Sequence, residues 1–139
     1  METPEAAVIR AFVRCINARD AGGLARLMTD DHTFTDSLGA QVVGKEAMRT
    51  AWVAYFFLIP DYTIAVQTMV QAERTFAVFG TARGTCAVDG HLSPEDSWEI
   101  PLAIRAVVRD ALVAEWQVFA DNEPVRSIMS RQAARNTHR

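Results

Sequence analysis

Cysteine is nearly absent from this sequence: Cys15 and Cys86 are the only two in 139 residues. With no C-x-x-C pair and no Cys/His spacing, neither a disulfide framework nor a metal site is expected, and both thiols are read as buried and reduced. Long apolar runs are missing too. No stretch reaches the ~18 residues that a membrane-crossing helix needs. The opening METPEAAVIR lacks the basic-then-apolar order of a secretion signal, so a cytoplasmic protein is expected. Positive charge is in short supply: 14 Lys and Arg against 17 Asp and Glu leave a formal charge of −3, with no excess to hold a phosphate backbone. Nucleic acid and membranes are thereby set aside as partners. Repeats and low-complexity tracts are lacking as well.

What remains is the make-up of an ordinary folded domain. Half of the residues are hydrophobic and 22% are charged, and a chain of this size buries a core without staples. One domain is expected over residues 1–139, with a core of about 6–129 and a polar tail at 130–139. Thr3-Pro4-Glu5 is a helix start, with a capping hydroxyl, a proline in the first turn and an acid near the positive end of the dipole. Val8, Phe12 and Ile16 follow at helical spacing, to about Ala18. Asp20 caps a second, shorter helix that carries Leu24, Leu27 and Met28 and ends near Asp30. Gly44-Lys45-Glu46 opens a third, lined by Met48, Trp52, Tyr55, Phe56 and Ile59 and stopped by Pro60. From Tyr62 onward the pattern changes to strands, at about 62–72, 74–88, 97–109 and 112–121. The last segment begins a helical turn after Asn122 and frays. Helices first and long antiparallel strands afterwards give an α+β domain in which the helices cover one face of a single sheet.

The stretch DDHTFTDSLG at 31–40 alternates as a strand over about 32–38, with Gln41 to Val43 as a short return strand. His32, Phe34 and Asp36 share one face. If Phe34 faces the core, Asp36 is a carboxylate beside it. Two readings stand: a desolvated general acid or base in a pocket, or a cap on the Ser37-Leu38-Gly39 turn.

Three stretches carry a resemblance: FVRCINARDAGGLARLMTDDHTFTDSLG, GKEAMRTAWVAYFFLIPDYTI and LVAEWQVFADNEPV. In this order they resemble the nuclear transport factor 2-like superfamily, in particular the SnoaL-like branch that also includes ketosteroid isomerase and limonene epoxide hydrolase. The resemblance implies a cone-shaped, curved mixed or antiparallel sheet wrapped around the N-terminal helices, a cystatin-like α+β barrel, with an apolar pocket at its open end and homodimers through the outer sheet. It implies no single reaction. Asp36 falls where the ketosteroid isomerase pattern places its proton-shuttling aspartate, an arrangement that is a standard case of carboxylate tuning. The other donors of that site do not carry over: the oxyanion tyrosine position holds Phe12, and the protonated aspartate position falls at Ala103 or Ile104. The epoxide hydrolase pattern keeps only Arg83, with Thr85 and Val118 where its carboxylates would be.

What the resemblance leaves is Asp36 as general base and Arg83 to steady an enolate or carboxylate oxygen, with His32 as a further candidate. The pocket around them is expected from Phe12, Phe34, Trp52, Tyr55, Phe56, Phe79, Ile104, Trp116 and Val118. Trp98 offers an indole donor, and Asp121 is a reserve acid at the end of the last strand. Each has a plainer reading. Arg83 pairs with a structural acid, Asp36 included; His32 begins a strand near solvent; Trp52, Tyr55 and Phe56 are core; Asp121 caps the turn at Glu123-Pro124. The expectation is a cofactor-independent isomerase, cyclase or related lyase acting on a hydrophobic, polyketide-like small molecule without a metal. The alternative is a ligand-binding or dimerisation module of the same fold that does no chemistry.

Overall fold

The structure is a computed structural model that describes residues 2–137; the last two positions of the polar tail expected at 130–139 lie outside the described residues. Helix α1 (Pro4–Asn17) starts where Thr3 Oγ1 accepts the Ala6 N–H at 3.1 Å, with Pro4 in the first turn. Its Ile9, Phe12, Val13 and Ile16 are buried. At its end the Asn17 side-chain amide acts as a short piece of strand. It donates to the Ile64 carbonyl at 3.0 Å and accepts from the Ile64 N–H at 2.8 Å. Helix α2 (Ala21–Arg26) is capped by Asp20, whose Oδ1 accepts from Gly23 N at 2.9 Å.

Next come β1 (Met28–Thr35), β2 (Gln41–Val43), α3 (Lys45–Leu58), β3 (Thr63–Ala72) and β4 (Thr75–Thr85). A 3-10 turn at Pro94–Asp96 leads into β5 (Ser97–Arg109), followed by β6 (Leu112–Phe119) and α4 (Glu123–Thr137). The six strands form one curved, open sheet in the order β2-β1-β6-β5-β4-β3. Only the β1–β6 pair is parallel. The mixed, curved α+β architecture agrees with the expectation, with β2 and β3 as the edge strands.

Strand alternation sorts side chains to the two faces. On β5, Trp98, Ile100, Leu102, Ile104, Ala106 and Val108 are buried, while Glu99, Pro101, Arg105 and Arg109 point out and are exposed. On β4, Phe76, Val78 and Ala82 face in, and Phe79 and Arg83 face out. The sheet bends where β3 slips register between Val66 and Thr68, opposite Gly80. A Cβ on Gly80 would come to 1.9 Å from the Ala65 carbonyl oxygen, so only glycine admits the two backbones this closely.

Several boundaries differ from expectation: α2 stops at Arg26 rather than near Asp30, and β4 at Thr85 rather than at 88. Strand β1 begins at Met28 rather than at His32, because a register break between Met28 and Thr33 turns Asp30 and Asp31 outward and hides the strand from an alternation test. There Asp30 meets Lys45 Nζ at 3.0 Å and Asp31 meets Arg109. Helix α4 does not fray after one turn. Val125 and the buried Ile128 pack on the core, Gln132 Nε2 donates to the Cys86 carbonyl at 2.9 Å, and Arg131 and Arg135 reach Glu95 and Asp96. Both cysteines are free, Cys86 buried and Cys15 half-buried.

Candidate functional site

A cavity of about 190 Å³ lies on the inner side of the sheet. Phe34, Asp36 and Ser37 reach it from the end of β1, and Met48, Ala51, Trp52 and Tyr55 from α3. Tyr62, Ala82, Trp98, Ile100, Leu102 and Val118 close its other walls, and Ala120 and Asn122 follow from the end of β6. The lining side chains are apolar or aromatic except for a patch of Asp36, Ser37 and Asn122, and two of the aromatics are tyrosines. Asn122 Nδ2 donates to Ser37 Oγ at 2.7 Å, which ties the start of α4 to the β1–β2 turn.

Asp36 stands where alternation from His32 and Phe34 places it, half-buried on the cavity wall. It also holds the turn. Its Oδ1 accepts from Leu38 N at 2.9 Å and from Ala40 N at 3.0 Å, while its backbone N–H donates to the Ala40 carbonyl. Gly39, at φ +89°, lets the chain reverse. The two readings of Asp36 are therefore compatible in geometry: one oxygen is anchored to backbone amides, and the residue still borders the cavity. No hydrogen bond or ion pair joins Asp36 to Arg83 among the described residues.

The aromatic side chains form a continuous wall. Trp52 meets Tyr55 edge-on at 6.1 Å between ring centroids, Tyr55 meets Tyr62 edge-on at 5.0 Å, and Tyr62 meets Trp98 at 6.1 Å. Phe34 packs edge-on to Trp52 at 6.3 Å. Burial pushes the Tyr62 phenol well above its ordinary range, and burial together with the neighbouring Tyr62 and Cys86 does the same for Tyr55. Both remain protonated at neutral pH. Among the described residues, His32 Nε2 and Trp52 Nε1 are buried polar side-chain atoms without a hydrogen-bond partner. Burial also pushes the Cys86 thiol up, with the Trp98 indole working against it.

Of the expected pocket residues, the structure brings Asp36, Phe34, Trp52, Tyr55, Trp98 and Val118 to the one cavity. The others are placed elsewhere, which corrects the pocket expectation for Arg83, Phe79, Phe12, Ile104 and Trp116, while Phe56 and Asp121 follow their plainer readings as core and cap. Arg83 and Phe79 are exposed on the outer face of β4, because the inward positions of that strand are Val78, Gly80 and Ala82. Arg83 faces Thr63 and Glu99 in register and lines a separate surface groove with Asp61 and Thr85. Phe12, Ile104 and Trp116 are buried core, with Phe12 and Trp116 rings 4.6 Å apart. Phe56 is half-buried and backs Trp52 at 5.2 Å. His32 is fully buried rather than near solvent, with Nδ1 2.7 Å from the Val113 carbonyl oxygen and its ring stacked on Phe12. Asp121 is exposed, and its Oδ1 accepts from Glu123 N at 3.0 Å, which starts α4.

Several wall residues went unnamed in the sequence, chief among them Tyr62, Ser37, Ile100, Leu102 and Asn122. The β5 pair was legible from alternation with Trp98. Tyr62 carried no periodic signal, since it follows Pro60 in an irregular turn that is fixed by Asp61 accepting from Thr85 N and Oγ1, both at 2.7 Å. Among the described residues no group of three or more His, Cys, Asp or Glu side chains gathers as a metal requires, and no helix is long and apolar enough to cross a membrane.

The sequence pattern of the family described as SnoaL-like domain matches residues 9–127. No curated protein sequence matches the chain. Among solved structures, it is similar to a candidate SnoaL-like polyketide cyclase from Shewanella denitrificans. The TM-score is 0.80 and identity is 10%, over 94% of this chain and 99% of that one. It is similar to IdmH, a candidate polyketide cyclase from Streptomyces antibioticus, with TM-score 0.74 and 21% identity over 93% and 99% of the two chains. An LEH-like epoxide hydrolase from M. tuberculosis gives TM-score 0.75 and 11% identity over 92% and 90%. At these identities the likeness is one of fold.

Proposed function

We propose, from the premise that this chain belongs to the SnoaL-like domain family, that it is a small-molecule enzyme of the isomerase, cyclase or related lyase kind, with Asp36 as its acid/base. The observation that carries the reading is the placement of Asp36. It is the one charged side chain on the wall of the inner cavity, and two backbone amides fix its Oδ1 and so its orientation. A base held by its own turn at the border of an apolar space suits abstraction of a proton next to a carbonyl. The proton passes to the carboxylate, the C–H electron pair moves into an enolate, and return of the proton at another carbon gives an isomer. Attack of the enolate carbon on a second carbonyl of the same molecule gives ring closure instead: the π pair of that carbonyl moves to its oxygen, which takes the proton back from Asp36. The void of about 190 Å³ suits one or two rings, since a cavity of ~150 Å³ accepts benzene; a larger polyketide would extend out of it.

His32 and Asp121 act in this reading through structure, by anchoring β1 and starting α4. The reading also takes in a homodimer through the outer sheet, where Phe79 and Phe119 are 45% and 50% exposed and flank Ala103 in one row. It is completed by a cytoplasmic setting and by chemistry that needs no bound cofactor. The alternative, a binding module without chemistry, draws on the same Asp36: an oxygen occupied by two amides serves the turn whether or not a substrate is present.

Deuterium exchange decides between them without the natural substrate. With 1-tetralone in D₂O, the protein is expected to speed exchange of the protons next to the carbonyl. Asp36→Asn keeps an amide oxygen for the turn and is expected to lose about 10²-fold or more of that rate. Exchange that persists undiminished in the variant removes Asp36 from the mechanism.

A further inference from the structure

We propose that Tyr55 and Tyr62 form a donor pair for an acceptor oxygen of the ligand, and that the ligand is therefore a compact neutral carbonyl compound of one or two fused rings. The proposal rests on reading this cavity as the active site. Tyr55 comes from the last turn of α3 and Tyr62 from the turn before β3, and both line the cavity. Tyr62 is only 7% exposed. Among the described residues neither hydroxyl has a hydrogen-bond partner. Nor is either oxygen among the sealed polar atoms that have none. Each hydroxyl is therefore accessible, on a residue that borders the cavity.

A ligand that fills the cavity takes water away from these hydroxyls, so one whose oxygen accepts from them is favoured over hydrocarbon that leaves them unmet. The charge of the wall sets the second half of the argument. Among the described residues Asp36 is its one charged side chain; Arg83 lies on the outer surface, and Arg126, which shares an outer groove with Asp36, is paired with Glu123. An anionic ligand would meet repulsion and no counter-charge; a neutral carbonyl meets two phenols and an aromatic wall. When Asp36 takes a proton beside the carbonyl, the negative charge gathers on the oxygen, where the phenols hold it. Donors of this kind raise the rate as well as the affinity, because they strengthen as the oxygen gains charge.

The experiment compares 1-tetralone with tetralin, which has the same rings and no carbonyl, on wild type, Tyr55→Phe, Tyr62→Phe and the double variant. The substitutions remove an oxygen that has no protein partner, so folding is expected to hold, as thermal melting checks. Wild type is expected to prefer the ketone, and each single variant to lose about 3–10-fold in ketone affinity with tetralin affinity unchanged. The double variant is expected to lose deuterium exchange per bound ketone as well. Asp36→Asn separates the two claims: loss of exchange with ketone affinity intact keeps the tyrosine pair whatever becomes of the base. A ketone preference that survives in the double variant, or no ketone preference in wild type, overturns the proposal. So does tighter binding of tetramethylammonium than of the ketone, because the same rings and carboxylate would then serve a cation.

Discussion

His32 Nδ1 lies 2.7 Å from the carbonyl oxygen of Val113, and the other ring nitrogen, Nε2, is buried without a partner. The contact suits a neutral ring with its proton on Nδ1, joining β1 to β6 beneath the aromatic core. Burial holds the His32 pKa below its ordinary 6.5, outweighing the Val113 contact and the Asp31 carboxylate, which both raise it.

The pH dependence follows from that direction. Above about pH 6.5 both folded and unfolded chains carry neutral His32, and its contribution is whole. As pH falls below that value the unfolded chain takes the proton first, so stability is lost until the folded-state pKa is reached. Melting temperatures at about pH 7.5 and 5.5 check this. His32→Gln is expected to show a smaller drop across that interval than wild type, whatever its absolute stability.

Asp36 serves the turn whether or not it serves chemistry. Asp36→Ala removes the acceptor of the Leu38 and Ala40 amides and is expected to cost about 1–2 kcal/mol. Asp36→Asn is expected to cost much less. Urea denaturation of the three proteins reads the difference, and equal stability of Ala and Asn variants would mean that the turn does not depend on this side chain.

Asn17 closes the β3 edge by pairing both backbone groups of Ile64. Asn17→Ala leaves that half-buried pair unmet and is expected to destabilise by about 1–3 kcal/mol. Hydrogen exchange of the Ile64 amide is expected to quicken more than that of β5 amides.

Gly80→Ala places a methyl against the Ala65 carbonyl, a backbone atom that does not swing aside. The expected cost is about 1–3 kcal/mol or more, measured by thermal melting. A neutral result would mean that the β3–β4 bend relaxes freely.

Much of the fold was legible because its signals are local. The Thr3 cap, the Pro60 stop and the alternation from Trp98 to Val108 each declare an element without help from the rest of the chain. Strand β1 was clipped because a bulge exposes Asp30 and Asp31 in its middle, and α4 was shortened because its polar run hides the packing of Val125 and Ile128. The site was legible where it follows strand period, as with Phe34 and Asp36. It was misread where kinship was preferred to period: Ala82 faces inward, so its neighbour Arg83 faces out. Tyr62 owes its place to Tyr55, Trp98 and the turn held by Asp61, contacts that exist only once the chain has closed.

The most direct measurement is a crystal structure of the protein with 1-tetralone. The account predicts the ketone in the inner cavity, a carboxylate oxygen of Asp36 within about 3.5 Å of the carbon next to the carbonyl, and the carbonyl oxygen turned toward Tyr55 and Tyr62. A ketone seated with its carbonyl away from the tyrosines and Asp36 out of reach, or an inner cavity left empty while the ketone binds the outer surface, would contradict it.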